Sequence, residues 1–197
     1  MNKTTLAGAA AAASIVIAFF VGAVTAAPPP PLPAPKILII DRSEVLRRSA
    51  VGQSIMKQVQ GLAAQAEGSL KSRDAALRAE GQQLQQQLSI LSASVKAAKI
   101  KAFETKQAAL QRDVQNQQAM IQGGLQVARD QALRALGPIL QKIVIERGAN
   151  IMIDRGAIVV SANGFDVTDV AIARLNQVLP TVTVKPTAPT PGGPPGQ

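Results

Sequence analysis

Two short apolar runs, Lys36-Ile-Leu-Ile-Ile40 and Ile151-Met-Ile-Asp-Arg-Gly-Ala-Ile-Val-Val160, flank a long stretch in which apolar and polar residues follow helical spacing. Within it, apolar positions recur at steps of three or four residues, or at their sum of seven, through Ile55, Val59, Leu62, Ala66, Leu70, Leu77, Leu84, Leu88 and Leu91. A second series follows through Phe103, Leu110, Val114, Ile121, Leu125, Ala128, Ala132, Leu136, Ile139 and Ile143. That period predicts two helices, each with one apolar face, and the two faces can zip together. Strands as short as the flanking runs need partners, so the chain must go out along one helix and return along the other. One continuous helix would hold the two strand regions roughly 150 Å apart and leave their edges unpaired. No Gly or Pro marks the turn. Ser92-Ala-Ser-Val predicts a tip near residues 91–95, with Ser92 or Ser94 capping the return helix.

Outside the helical stretch, Asp41 ends the first strand and Ser43 is the expected N-cap of a helix starting near Glu44. Residues 151–153, a turn at 154–156 and residues 157–161 read as a β-hairpin that pairs with the first strand. Thr168 is the expected cap of a short amphipathic helix through Val170, Ile172, Leu175 and Val178, ending before Pro180. The predicted class is α+β and predominantly α. A helical hairpin over residues 51–143 projects from a small β-rich body formed by residues 36–50 and 144–184. A body that small buries little core. Without Cys or a metal-ligand cluster to staple it, oligomerisation is the expected remedy.

The ends differ in character. Lys3, the apolar residues 6–24 and Val24-Thr-Ala26 read as a signal peptide over residues 1–26, cleaved near Ala26 or Ala27; an uncleaved anchor is the alternative. Residues 27–35 form a proline-rich linker, and the Pro- and Gly-rich residues 185–197 read as a disordered tail.

Charge and composition then narrow the function. Removing Lys3 from the 21 Lys and Arg leaves 20, against 12 Asp and Glu, so the exported chain is basic. It attracts acidic polypeptides or anionic lipid surfaces; export and the scarcity of aromatics argue against nucleic acid. His, Cys, Trp and Tyr are all absent, which removes the commonest general base and the commonest metal ligands. An enzyme is disfavoured, and no catalytic, cofactor-binding or metal residue is assigned. Asp41 and Asp154, each leaving a strand, invite an acid–base reading, but Asp is common there because it bonds its own backbone. Asp166 and Asp169 stand at a helix start, where acidic residues suit the dipole.

Lys96, Lys99, Lys101 and Lys106 concentrate positive charge near the expected tip. Such a run is commonly a solvated face; at the end of an arm it can steer an acidic partner or touch lipid headgroups. Gly61 falls roughly level with Gly123 and Gly124 across the hairpin. Each costs up to about 1 kcal/mol relative to Ala inside a helix. These three are hinge candidates, with a close contact that needs small residues as the competing reading.

The order of these parts resembles the Skp/OmpH family of periplasmic chaperones. The matching pieces are the leader, Lys36-Ile-Leu-Ile-Ile-Asp41, the Ser49 to Gly52 stretch, the Gln-rich hairpin, Ala149-Asn-Ile-Met-Ile-Asp154 through Val160, and the closing Asp166-Val-Thr-Asp169 helix with Leu175-Asn176. The resemblance covers about residues 36–178. It implies a homotrimer whose small sheets join in one body and whose helical arms surround a cavity. It also implies ATP-independent holding of unfolded outer-membrane proteins in the periplasm, with no cofactor. Val159-Val160 stands where relatives commonly carry an aromatic, and the proline-rich ends are extensions. A lipopolysaccharide-binding cluster of some relatives has no residue-by-residue match here; an anionic lipid or lipopolysaccharide surface rests on the tip lysines alone. The alternative is a membrane-tethered structural spacer of the envelope.

Overall fold

The buried run Leu38-Ile39-Ile40 sits at the centre of the body, consecutive rather than alternating in burial, as expected of a strand covered on both faces. The computed structural model describes residues 33–162 and 164–189; the expected leader, most of the linker and residues 190–197 lie outside the described residues. The order is β1 (Ile37–Ile40), α1 (Arg42–Arg48), α2 (Ala50–Gln87), α3 (Ala93–Glu146), β2 (Ile151–Asp154), a 3-10 turn (Arg155–Ala157) and α4 (Thr168–Val178).

β1 pairs with β2 in parallel, Ile37 opposite Ile151 and Ile40 opposite Asp154. Parallel strands need a long crossover, which α2 and α3 supply. On its other side Ile39 bonds the segment before α4, its amide donating to the Phe165 carbonyl at 2.8 Å and its carbonyl accepting from the Val167 amide at 2.9 Å. The expected hairpin does not form. Asp154 accepts from the Gly156 amide and closes a 3-10 turn, and residues 158–161 leave without pairing among the described residues. The body is therefore less β-rich than expected, with two strands of four residues each.

Asp41, not Ser43, caps α1. Its Oδ1 accepts from the Glu44 amide at 2.8 Å and from the Ser43 hydroxyl at 2.6 Å. Thr168 is likewise the first residue of α4 and not its cap; its buried hydroxyl accepts from the Asp41 amide at 2.9 Å, joining the two helix starts. The chain also breaks between α1 and α2 at the buried Ser49, whose hydroxyl accepts from the Gly52 amide and restarts the helix. Asn176 of α4 accepts from the Ala50 amide at 2.7 Å, satisfying another free donor at that start.

Every residue of both predicted apolar series is buried or half-buried. Side chains pair across α2 and α3 at Gln87–Lys99, Glu80–Lys106 and Arg73–Asp113, stepping seven residues on each helix, so the helices run antiparallel with a heptad register. Gly81 makes room for Phe103, whose ring would lie 3.0 Å from a Cβ there. The turn covers residues 88–92, starting earlier than expected, and Ser92 stands at the N-cap position of α3. α3 ends in a Schellman motif: Gly148 has φ +59°, its amide donates to Ile145, and the Ala149 amide donates to Val144.

The core lies at the base. Ile55 of α2 and Ala128, Ala132, Leu136, Ile139 and Ile143 of α3 meet Val45, Leu175 and the inner residues of β1. Burying a side chain such as Leu136 or Ile143 stabilises by about 1.5–3 kcal/mol. Val184 joins this cluster, so residues 185–189 do not begin a free tail: they continue an ordered segment lying on α3.

Candidate functional site

Residues 56–122 hold the turn and most of both long helices, and none of them is buried. Beyond the level of Gln58 and Met120 their apolar seam faces the other long helix, and beside it Met56, Ile90, Val95 and Ile100 are at least 40% exposed. Where Ala76 and Ala109 lie beside Leu77 and Leu110, the small side chains leave a shallow groove of about 270 Å³. This half of the molecule is a long surface that alternates apolar patches with charge.

The four tip lysines divide into two kinds. Lys106 donates to Glu80 at 2.6 Å and Lys99 to the Gln87 side chain at 3.2 Å, so both are drawn across the helix pair. Lys96 and Lys101 make no side-chain bond among the described residues. Ile90, Val95 and Ile100 are exposed in the same stretch, so the tip region is cationic and apolar at once.

The three glycines also separate. A Cβ on Gly61 would meet nothing within 4 Å, whereas Gly123 and Gly124 are buried. A Cβ there would fall 2.1 Å from the Thr187 carbonyl oxygen and 2.3 Å from that of Lys185. Contact with a crossing main chain accounts for this pair. The chain that crosses comes from residues 181–189, a feature the sequence reading missed; the apolar-polar alternation Val182-Thr183-Val184 was its one signal.

The acidic residues of the body are engaged in structure. Ser43 and the Glu44 amide hold the Asp41 carboxyl below the ordinary aspartate range. The Arg42 guanidinium, 2.6 Å away, does the same for Asp154. Burial pushes Asp166 up, but the Thr168 hydroxyl and amide together with Arg155 outweigh it, and the net shift is down. Asp169 pairs with Arg48 at 2.9 Å. Asp41, Asp154 and Asp166 are each held ionised by a cap or a cation, an arrangement suited to anchoring helix starts and not to exchanging protons. Among the described residues no group of three or more acidic, His or Cys side chains could hold a metal ion, and no helix is long and apolar enough to cross a membrane.

A second surface belongs to the body. β2 is paired along one edge only among the described residues and its Ile151 is exposed, as are Val159 and Val160 in the segment that follows it; Val159 is as open as in an isolated chain, at 104%. A free strand edge with apolar neighbours is a ready interface.

A family model described as outer membrane protein (OmpH-like) matches residues 36–175. A solved structure, that of a candidate outer membrane chaperone (OmpH-like) from Caulobacter crescentus CB15, is similar with a TM-score of 0.73. The match covers 80% of this chain and 92% of that one at 21% identity, a likeness of fold. No curated protein matches the chain.

Proposed function

Since the chain belongs to the OmpH-like family of outer membrane proteins, we propose that it is an ATP-independent chaperone that holds unfolded outer-membrane β-barrel proteins and keeps them from aggregating. The observation that carries this reading is the unburied half of the molecule, residues 56–122, in which apolar patches and cationic side chains are presented along two long helices. Such a surface does no chemistry. It makes many weak contacts, and many weak contacts on one client give capture that is tight yet reversible.

The open edge of β2 and the exposed Val159 and Val160 that follow it support a homotrimer. Copies that meet there bury Val159 and Val160 and gather three helical hairpins around a shared space. A client inside it is surrounded by half-exposed leucines, with Lys96 and Lys101 at the far end to draw in acidic segments. The family and the expected leader, residues 1–26, support a periplasmic location.

The test is light scattering of an unfolded barrel protein diluted from denaturant with and without the purified chain. Suppression at about three chains per client is expected of a trimer that encloses one. Undiminished scattering at a large excess of chain overturns the reading.

A further inference from the structure

After α4, residues 181–189 run back across the base of the long helices as an extended strap. Gln58 of α2 grips it at two points, its Nε2 donating to the Val182 carbonyl at 2.7 Å and its Oε1 accepting from the Val184 amide at 2.9 Å. One residue of a parallel strand makes this same pair of bonds to the residues on either side of its partner. Farther along, the Thr187 amide donates to the Met120 carbonyl at 2.9 Å, and the strap's carbonyls lie directly over Gly123 and Gly124. Val184 is 5% exposed and enters the core cluster, Val182 is half-buried, and Thr183 between them faces out.

These contacts read very little sequence. Gln58 and Met120 recognise main chain, the glycine pair clears space for main chain, and two apolar side chains, Val182 and Val184, turn inward on either side of the outward Thr183. Two glycines inside a helix cost up to about 1 kcal/mol each, a cost the contact with a crossing chain offsets. Strands of outer-membrane barrels alternate apolar and polar residues with this same period. We infer that the groove lined by Gln58, Met120, Gly123 and Gly124 is a binding site for an extended polypeptide with small apolar residues at alternate positions. The strap fills it in the resting chain, and an unfolded client strand takes the strap's place. This inference rests on the holding function proposed above and gives it one backbone-reading site and an internal competitor. While the strap is seated, apparent client affinity falls by the fraction of molecules whose groove is open.

Hydrogen exchange on the full-length chain tests it, with an unfolded barrel protein as the probe. On capture, the Val184 and Thr187 amides should exchange about tenfold faster or more, while the Ile39 amide, bonded to Phe165 in the body, keeps its protection. Capture that leaves Val184 and Thr187 protected overturns the inference and spares the holding function; absence of capture in the scattering assay overturns both. Two full-length variants separate occupation of the groove from a general loosening. Val184→Asp frees the strap and leaves the groove open, so client should bind about tenfold more tightly. Gly124→Leu also frees the strap but fills the groove, so client should bind no more tightly than to the parent chain. Equal gains in the two variants overturn the inference.

Discussion

The carbonyl oxygen of Leu46 occupies the space that a side chain at Gly52 would need: a Cβ there would lie 1.5 Å from it. This approach lets α1 fold back against the start of α2 at the buried Ser49 junction. Neither backbone has room to retreat from a buried corner. Gly52→Ala is therefore expected to lower stability by about 3 kcal/mol. Gly61→Ala, in the same helix with open space around it, is expected to raise stability by about 0.5–1 kcal/mol. Urea unfolding followed by circular dichroism measures both, and a Gly52→Ala chain as stable as its parent contradicts the first.

Val159 and Val160, 104% and 84% exposed, belong to the segment that follows β2, whose second edge is open among the described residues. Two charges introduced there have no partner in an assembled interface. Analytical ultracentrifugation should find the parent chain at about three times its own mass. The doubly substituted Val159→Asp, Val160→Asp chain should sediment as a monomer with an unchanged helical spectrum. A trimer that survives both substitutions puts the interface elsewhere.

Lys96 and Lys101 are the tip lysines whose amines make no bond among the described residues. Replacing both with Gln is expected to weaken client binding about threefold to tenfold at low salt. The difference should close near 1 M salt, where the screening length falls to about 3 Å. Fluorescence anisotropy of a labelled unfolded client measures the affinities. A loss that persists at high salt assigns the lysines a contact role beyond steering.

Acid should loosen the body before neutral or mildly basic pH does. The folded-state pKa values of Asp41, Asp154 and Asp166 lie below their ordinary value, so their stabilisation is present above about pH 4 and is lost as pH falls through the lowered values. With no His in the chain, no histidine titration adds a step between pH 5 and 8. The urea midpoint should hold steady from pH 7 to 5 and drop below about pH 4, less steeply in an Asp154→Asn variant. A midpoint unchanged at pH 2 contradicts this.

Much of the fold was legible from periodicity. The series from Ile55 to Leu91 and from Phe103 to Ile143 all face inward because a helix that meets one neighbour must bury one stripe, and spacing alone records the stripe. Pro180 follows α4 as ordinary punctuation. Misreadings arose where one residue type serves two purposes. Asp154-Arg-Gly156 suits a hairpin turn, but Arg42 takes hold of Asp154 and the chain turns as a 3-10 helix. Ser43 could cap a helix, but Asp41, two residues earlier, takes both the Glu44 amide and the Ser43 hydroxyl. The candidate site was the harder part. Gly123-Gly124 signals weakness in a helix without saying whether the helix bends or something crosses it, and the crossing strap straddles the expected boundary at residue 185 between the body and a Pro- and Gly-rich tail that composition assigns to disorder.

By itself the sequence determined the two long amphipathic helices, their return, the basic charge and the absence of His and Cys, because each is a local or compositional property. Tertiary structure alone decided the parallel pairing of Ile37–Ile40 with Ile151–Asp154, the corner at Gly52 and the seating of Val184 between Gln58 and the glycine pair. Those depend on residues more than a hundred positions apart, or on one main chain approaching another. Main-chain contacts leave almost no trace in side-chain pattern: a glycine reports that space is needed, and only the fold says what fills it.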